Sequence, residues 1–308
     1  PAEVAAADGG ARLKSRGSRS DAALKNITVD GRKRNYIVHA PKGLKAPAPL
    51  VFVFHGGGGD ANRMTGLGFN ELADRDKFIV IYPEAIEKNW NDGREAKGIV
   101  SQKQDIDDVK FIRALVDEIA KTHPVDRTRI FGTGASNGGI FSHWLAHNAS
   151  DLFAGFAPVI GSIAEPLQSR FRPKHPVSML IIQGDQDRLI PIDGGPVHGD
   201  GFRDRGRILS TQEVIGKYVS HNQHDGVARN VQLPDKDPND GVTVQVSTYP
   251  TGKDDVKLVV YRLKGGGHTW PGGKRPAVLQ KLVGNTCQDF DGADVIWKFF
   301  KTCPPRKQ

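Results

Sequence analysis

Cysteine is almost missing from this chain. Of 308 residues only Cys287 and Cys303 carry a thiol. A chain this long can bury a large core without metals or disulfide staples. Long apolar runs are missing too. The longest, such as residues 78–82, have five members, against the roughly 18 a membrane-spanning helix needs. Neither sign of charge dominates: 43 Lys and Arg face 35 Asp and Glu, for a formal charge of +8. The basic residues are scattered. Arg12, Lys14, Arg16 and Arg19 fall in a polar stretch, and Arg32, Lys33 and Arg34 at a turn. No recognition motif accompanies them, so a nucleic-acid partner is not expected.

Glycine, in contrast, is abundant at 36 residues, roughly 12% where ~7% is usual. The fold therefore contains many tight turns or close backbone approaches. With 38% hydrophobic residues, the chain can bury a sizeable core. Residues 1–22 have few large apolar side chains and are expected to form a flexible arm, with 23–308 as one domain. Asp30-Gly31 between 24–29 and 34–38 is a hairpin signal. Short continuous apolar runs at 49–54, 78–82, 128–132, 157–160 and 177–183 predict buried strands. Helices are predicted at 105–122, where apolar residues recur every three to four positions, at 138–146, from the capping box Ser210 to Glu213 as far as 219, and at 293–300. Strands at 242–249 and 256–263 complete the pattern. Buried strands alternating with helices predict an α/β fold with a parallel sheet covered on both faces.

Four glycine-flanked motifs follow predicted strands. Gly134-Ala135-Ser136-Asn137-Gly138 joins a strand to a helix. A serine on such a turn stands above the sheet at the positive end of the helix, a nucleophile's position. Neither the dinucleotide nor the phosphate-loop pattern fits, because position 137 is Asn and no Gly-Lys-Ser/Thr follows. His55 precedes four glycines, whose N–H groups, with that of Asn137, could reach an oxyanion without side chains in the way. Gly184-Asp185-Gln186-Asp187 supplies a carboxylate to orient a histidine, with Asp187 preferred and Asp185 the alternative. Gly265-Gly266-Gly267-His268 supplies the base. The order Ser136, Asp187, His268 is that of one hydrolase fold. Trp90 and Trp270, in loops near this edge, are candidates to line the substrate site.

These motifs, with the stretches 107–112, 125–130, 134–139, 153–159, 187–191, 267–272 and 296–300, resemble α/β-hydrolase-fold esterases of the polyhydroxybutyrate depolymerase and feruloyl esterase type. The resemblance covers roughly residues 24–302. It implies a mostly parallel central sheet with helices on both faces. It also implies Ser136 as nucleophile, Asp187 as acid, His268 as base, and Gly57 with Asn137 as oxyanion donors. The expected activity is hydrolysis of bulky carboxylic esters, feruloyl or hydroxyalkanoate, without a cofactor. The same triad could cleave amides, but no amine-anchoring carboxylate pair is seen. A non-catalytic binding protein would normally have lost a triad member, and none is missing.

No large cap is expected, because only 16 residues separate the strands ending at 160 and beginning at 177. The groove should therefore be open. His143 and His147 lack a completing ligand, and Asp235, Asp237 and Asn239 are followed by Asp240 where a calcium loop needs glycine, so no metal is expected. Cys287 and Cys303 flank the closing helix. The Ala-rich polar start at Pro1 reads as a chain trimmed after a secretory leader or cut at a cloning boundary; a secreted or periplasmic enzyme is expected, with the two cysteines in a disulfide.

Overall fold

A computed structural model describes residues 23–199, 204–274 and 281–307; the arm expected at 1–22 lies outside them. The hairpin forms as predicted. β1 (Lys25–Val29) and β2 (Arg32–His39) pair antiparallel around Asp30 and Gly31, both at positive φ. Next come β3 (Ala48–Phe54), α1 (Ala61–Thr65), α2 (Phe69–Asp76), β4 (Ile79–Pro83), α3 (Val100–Lys103), α4 (Asp108–Ala120), β5 (Val125–Ala135), α5 (Asn137–Asn148), β6 (Gly155–Val159) and β7 (Ser178–Gly184). A two-stranded ribbon, β8 (Gly195–Pro196) and β9 (Arg207–Ile208), precedes α6 (Thr211–Asn222). The chain closes with β10 (Arg229–Gln232), β11 (Thr243–Thr248), β12 (Leu258–Lys264) and α7 (Gly292–Thr302).

Ten strands form one sheet in the order β1-β2-β4-β3-β5-β6-β7-β12-β11-β10. The six from β4 to β12 run parallel, and the pairs at either end are antiparallel. Side chains alternate across the pleat, which explains the continuous apolar runs. Leu50, Phe52 and Phe54 face a core completed by Phe111, Leu115, Phe141, Leu145 and Tyr218 from α4, α5 and α6. Val51 and Val53 face the other way, onto Met64, Leu72, Ile296, Trp297 and Phe300 from α1, α2 and α7.

Arg34 departs from the scattered surface charges. It is buried, ion-paired to Asp108 at 2.5 Å, with its guanidinium 3.9 Å from the Phe111 ring centre.

The expected disulfide is absent: Cys287 and Cys303 are both free thiols. The geometry gives the reason. Cys287 lies near the loop after β12, where its carbonyl accepts the Gly272 N–H at 2.7 Å. Cys303 ends α7 beside Gly155, at the opposite, amino end of β6. The eleven residues of α7 hold the flanks on the order of 16 Å apart, beyond the ~7 Å a bridge tolerates. Burial pushes both thiols up to about 12.

Candidate active site

The carboxyl ends of β5, β7 and β12 lie on one edge of the sheet, and each runs into one of the predicted motifs. Ser136 sits between β5 and α5 with φ 59° and ψ −122°. A non-glycine residue there is strained. The turn is held because the Ser136 N–H donates to Val159 O at 3.0 Å and its carbonyl accepts the Ile140 N–H at 2.8 Å. A Cβ on Gly134 would lie 2.7 Å from Phe54 O, and one on Gly138 2.4 Å from the same oxygen. Those glycines are what let α5 pack directly on the end of β3.

The glycine run after β3 lies against this turn. A Cβ at Gly56 would be 3.4 Å from Ser136 Cβ, and one at Gly57 would be 3.8 Å from Asn137 Cβ. Gly58 and Gly59 donate their N–H groups to Lys88 O and Gly56 O. Among the described residues, those of Gly57 and Asn137 have no backbone acceptor. His55 pins the loop. Its Nε2 accepts the Ala85 N–H at 3.0 Å, which leaves Nδ1 to donate to Gly56 O at 2.8 Å. Burial lowers its pKa, keeping the ring neutral, as this pairing requires.

Asp187 Oδ2 meets His268 Nδ1 at 2.8 Å, and Asp187 Oδ1 accepts the N–H groups of Leu189 and Ile190 at 2.9 Å each. Asp185, the alternative, turns away and accepts the Gly265 N–H at 2.7 Å. Four strands separate or carry these groups: β5 is three ladder steps from β12, about 14 Å at ~4.8 Å per step. The His268 loop recovers that distance by lying over the end of β7. A Cβ on Gly184 would come 2.3 Å from Gly266 O. The Asp187 loop is tied to the serine's helix by Ile190, which packs on Ile140. His268 Nε2 and Ser136 Oγ are left without hydrogen bonds among the described residues.

Both tryptophans expected at the substrate site are buried. Trp90 is 0% exposed, its indole donating to His55 O and its ring stacked on Phe141 at 4.7 Å. Trp270 is 6% exposed, with its ring edge against Phe69 and its Nε1 against Gly292. Both brace the loops that carry the motifs. A polar network missed in the sequence does the same for α5. Asn137 accepts the Trp90 N–H and donates to Asp92 at 2.7 Å; Asp92 pairs with Arg94 at 2.9 Å and accepts from Gln102. All but Gln102 are buried. Asn91-Asp92-Gly93-Arg94 reads locally as an exposed turn, and its partner Asn137, 45 residues on, reveals otherwise.

No family model matches the chain. It is 33% identical over 290 residues to "Putative esterase NocK" of Nocardia uniformis, spanning 89% of this chain and 81% of that one. This chain belongs to that esterase family. It is a carboxylic ester hydrolase. The esterase is also 30% identical to poly(3-hydroxyalkanoate) depolymerase C of Paucimonas lemoignei over 128 residues, 40% of this chain and 30% of that one. With feruloyl esterase B of Piromyces equi it shares 25% over 250 residues, 78% and 44% of the two chains. The acetyl xylan esterase from Aspergillus awamori superposes with a TM-score of 0.58 at 14% identity, over 91% of this chain and all of that one. The esterase has the α/β-hydrolase fold. No helix among its described residues is long and apolar enough to cross a membrane.

Proposed function

We propose that the esterase works through Ser136, His268 and Asp187 and takes bulky esters, either of aryl acids such as ferulate or of short hydroxyalkanoate oligomers. The observation that carries the mechanism is the buried Asp187–His268 pair, on the same edge of the sheet as a serine at positive φ on the β5–α5 turn. His268 Nε2 removes the Ser136 proton as Oγ attacks the ester carbonyl. The N–H groups of Gly57 and Asn137 hold the resulting oxyanion. Asp187 fixes the imidazole tautomer and stabilises its charged form. The imidazolium then protonates the leaving alcohol, and an acyl-enzyme remains. Water repeats the sequence, frees the acid and restores Ser136.

The substrate class rests on the names of the relatives and on the roof of the site. Among the described residues, the chain makes one short turn of helix, Glu165–Leu167, between β6 and β7, and between Asp187 and α6 the β8–β9 ribbon. Neither builds the deep apolar tunnel a long acyl chain needs.

The test pairs an active-site label with a substrate panel. A fluorophosphonate should modify Ser136. Methyl ferulate, an acetylated sugar and a 3-hydroxybutyrate trimer should be compared with a long-chain triglyceride. We expect higher kcat/KM on ferulate or the trimer than on the triglyceride. Preference for the long chain would overturn the substrate class, and labelling at another residue would overturn the mechanism.

A further inference from the structure

The thiol left over from the missing disulfide has other company. One oxygen each of Asp240 and Asp289 and the Cys287 sulfur lie within 4.8 Å of one another. Asp240 sits in the polar loop before β11, and Cys287 and Asp289 in the segment before α7. Cys287 is 0% and Asp289 4% exposed. Two carboxylates packed so closely, that of Asp289 buried beside the Cys287 thiol, repel unless a proton or a cation joins them.

Side-chain hydrogen bonds answer only part of that need. Asp289 Oδ1 accepts the N–H groups of Lys236 at 2.7 Å and Asp237 at 3.2 Å. Its Oδ2 is buried and has no partner. Asp240 accepts the Val242 and Gln288 N–H groups at 2.6 Å each, and each of its oxygens keeps a second lone pair. No Lys or Arg forms an ion pair with either carboxylate among the described residues. A buried carboxylate oxygen without a donor is uncommon enough to require an explanation.

We propose that Asp240, Cys287 and Asp289 bind one divalent cation of the zinc class. The donor set selects the ion. Calcium takes six to eight oxygens, and this cluster offers a sulfur and two carboxylates. Zinc accepts sulfur and carboxylate together in a four-coordinate shell, with water on the half-exposed Asp240 side as the fourth ligand and the route of entry. On binding, the Cys287 S–H bond breaks, an S–metal bond forms, and the proton leaves to solvent. There is no change of oxidation state.

The site would tie the 234–241 loop to the segment that supports His268. Just upstream of Cys287, Asn285 O accepts the Gly267 N–H at 3.0 Å and Val283 O that of His268 at 2.5 Å. This inference does not depend on which ester is cleaved, and its test does not use activity.

The protein is stripped with a chelator and titrated with Co²⁺, whose thiolate charge-transfer absorption reports a cobalt–sulfur bond. We expect one equivalent to produce that band and Zn²⁺ to remove it by competition. Cys287→Ser should abolish the band and Asp289→Asn should weaken cobalt binding at least tenfold, with circular dichroism verifying the fold. Cys303→Ser, which alters the other buried thiol, should leave the band intact. A wild-type protein without the band overturns the proposal, as does a band that survives Cys287→Ser or disappears in Cys303→Ser. Should Cys287→Ser not fold, Asp289→Asn decides alone: unchanged cobalt affinity there overturns the site.

Discussion

At the scale of single residues, geometry separates groups that the sequence left side by side. Asp185 and Asp187 flank one glutamine, and no local signal ranks them with physical certainty. The fold does, because only Asp187 reaches the imidazole while Asp185 caps the turn at Gly265. We expect Ser136→Ala to lower kcat by at least ~10³ with folding intact, and Asp187→Asn to fall nearly as far, since members of such a set act as a unit. Asp185→Asn should cost far less; steady-state kinetics on a p-nitrophenyl ester compares the three. Trp90 shows the reverse error. A tryptophan in a loop beside a glycine-rich motif looks like a substrate platform, but its partners are His55 and Phe141, each remote in sequence. Asp92 was illegible for the same reason: its burial is created by Arg94, Gln102 and Asn137 together. Asp92→Ala leaves Arg94 charged and enclosed, so we expect about 3–5 kcal/mol of stability to be lost, read from urea unfolding.

Elements were far easier to read than the contacts between them. The buried strands announced themselves as short apolar runs because helices cover both faces of the sheet. The capping box at Ser210 is formed as predicted, the hydroxyl accepting the Glu213 N–H and the Glu213 carboxylate accepting the Ser210 N–H. Ser210→Ala should cost about 1 kcal/mol, measured as a shift in the unfolding midpoint. What the local pattern could not show were α1, α2 and the outer strand β10. The first two are five and eight residues long, and β10 is exposed at all four positions. Each is too short for its pattern to stand out: α2 carries Phe69, Leu72 and Ala73 on one face for barely two turns, and β10 carries one apolar residue, Val231. The disulfide failed for an element-scale reason, the length of α7. Thiol titration in denaturant without reductant should therefore find two free thiols in metal-free protein, and finding none would contradict the arrangement.

For the whole molecule, acid is the revealing stress. His143 lies fully buried under α6, 2.9 Å from the Tyr218 hydroxyl, and burial lowers its pKa to about 3. An unfolded histidine titrates near 6.5. Its folded pKa is depressed, so the unfolded chain binds the extra proton between pH 6.5 and 3. Stability is full above that window and is lost as pH falls through it, at up to ~1.4 kcal/mol per pH unit. His55 shifts in the same direction. We expect the urea midpoint to drop between pH 7 and 5, and His143→Gln to drop less over that interval; an equal slope in the variant would remove His143 from the account. The ten-stranded sheet has a further consequence, because it never closes on itself. Among the described residues its outermost members, β1 and β10, have no further strand beside them, and such a margin is where a foreign chain can extend a ladder. Both margins are short, at five and four residues, and Lys25, Asn26, Arg229, Asn230 and Gln232 stud them. Lateral growth into fibrils would thus have to start on polar, abbreviated templates, and that is a poor start for it.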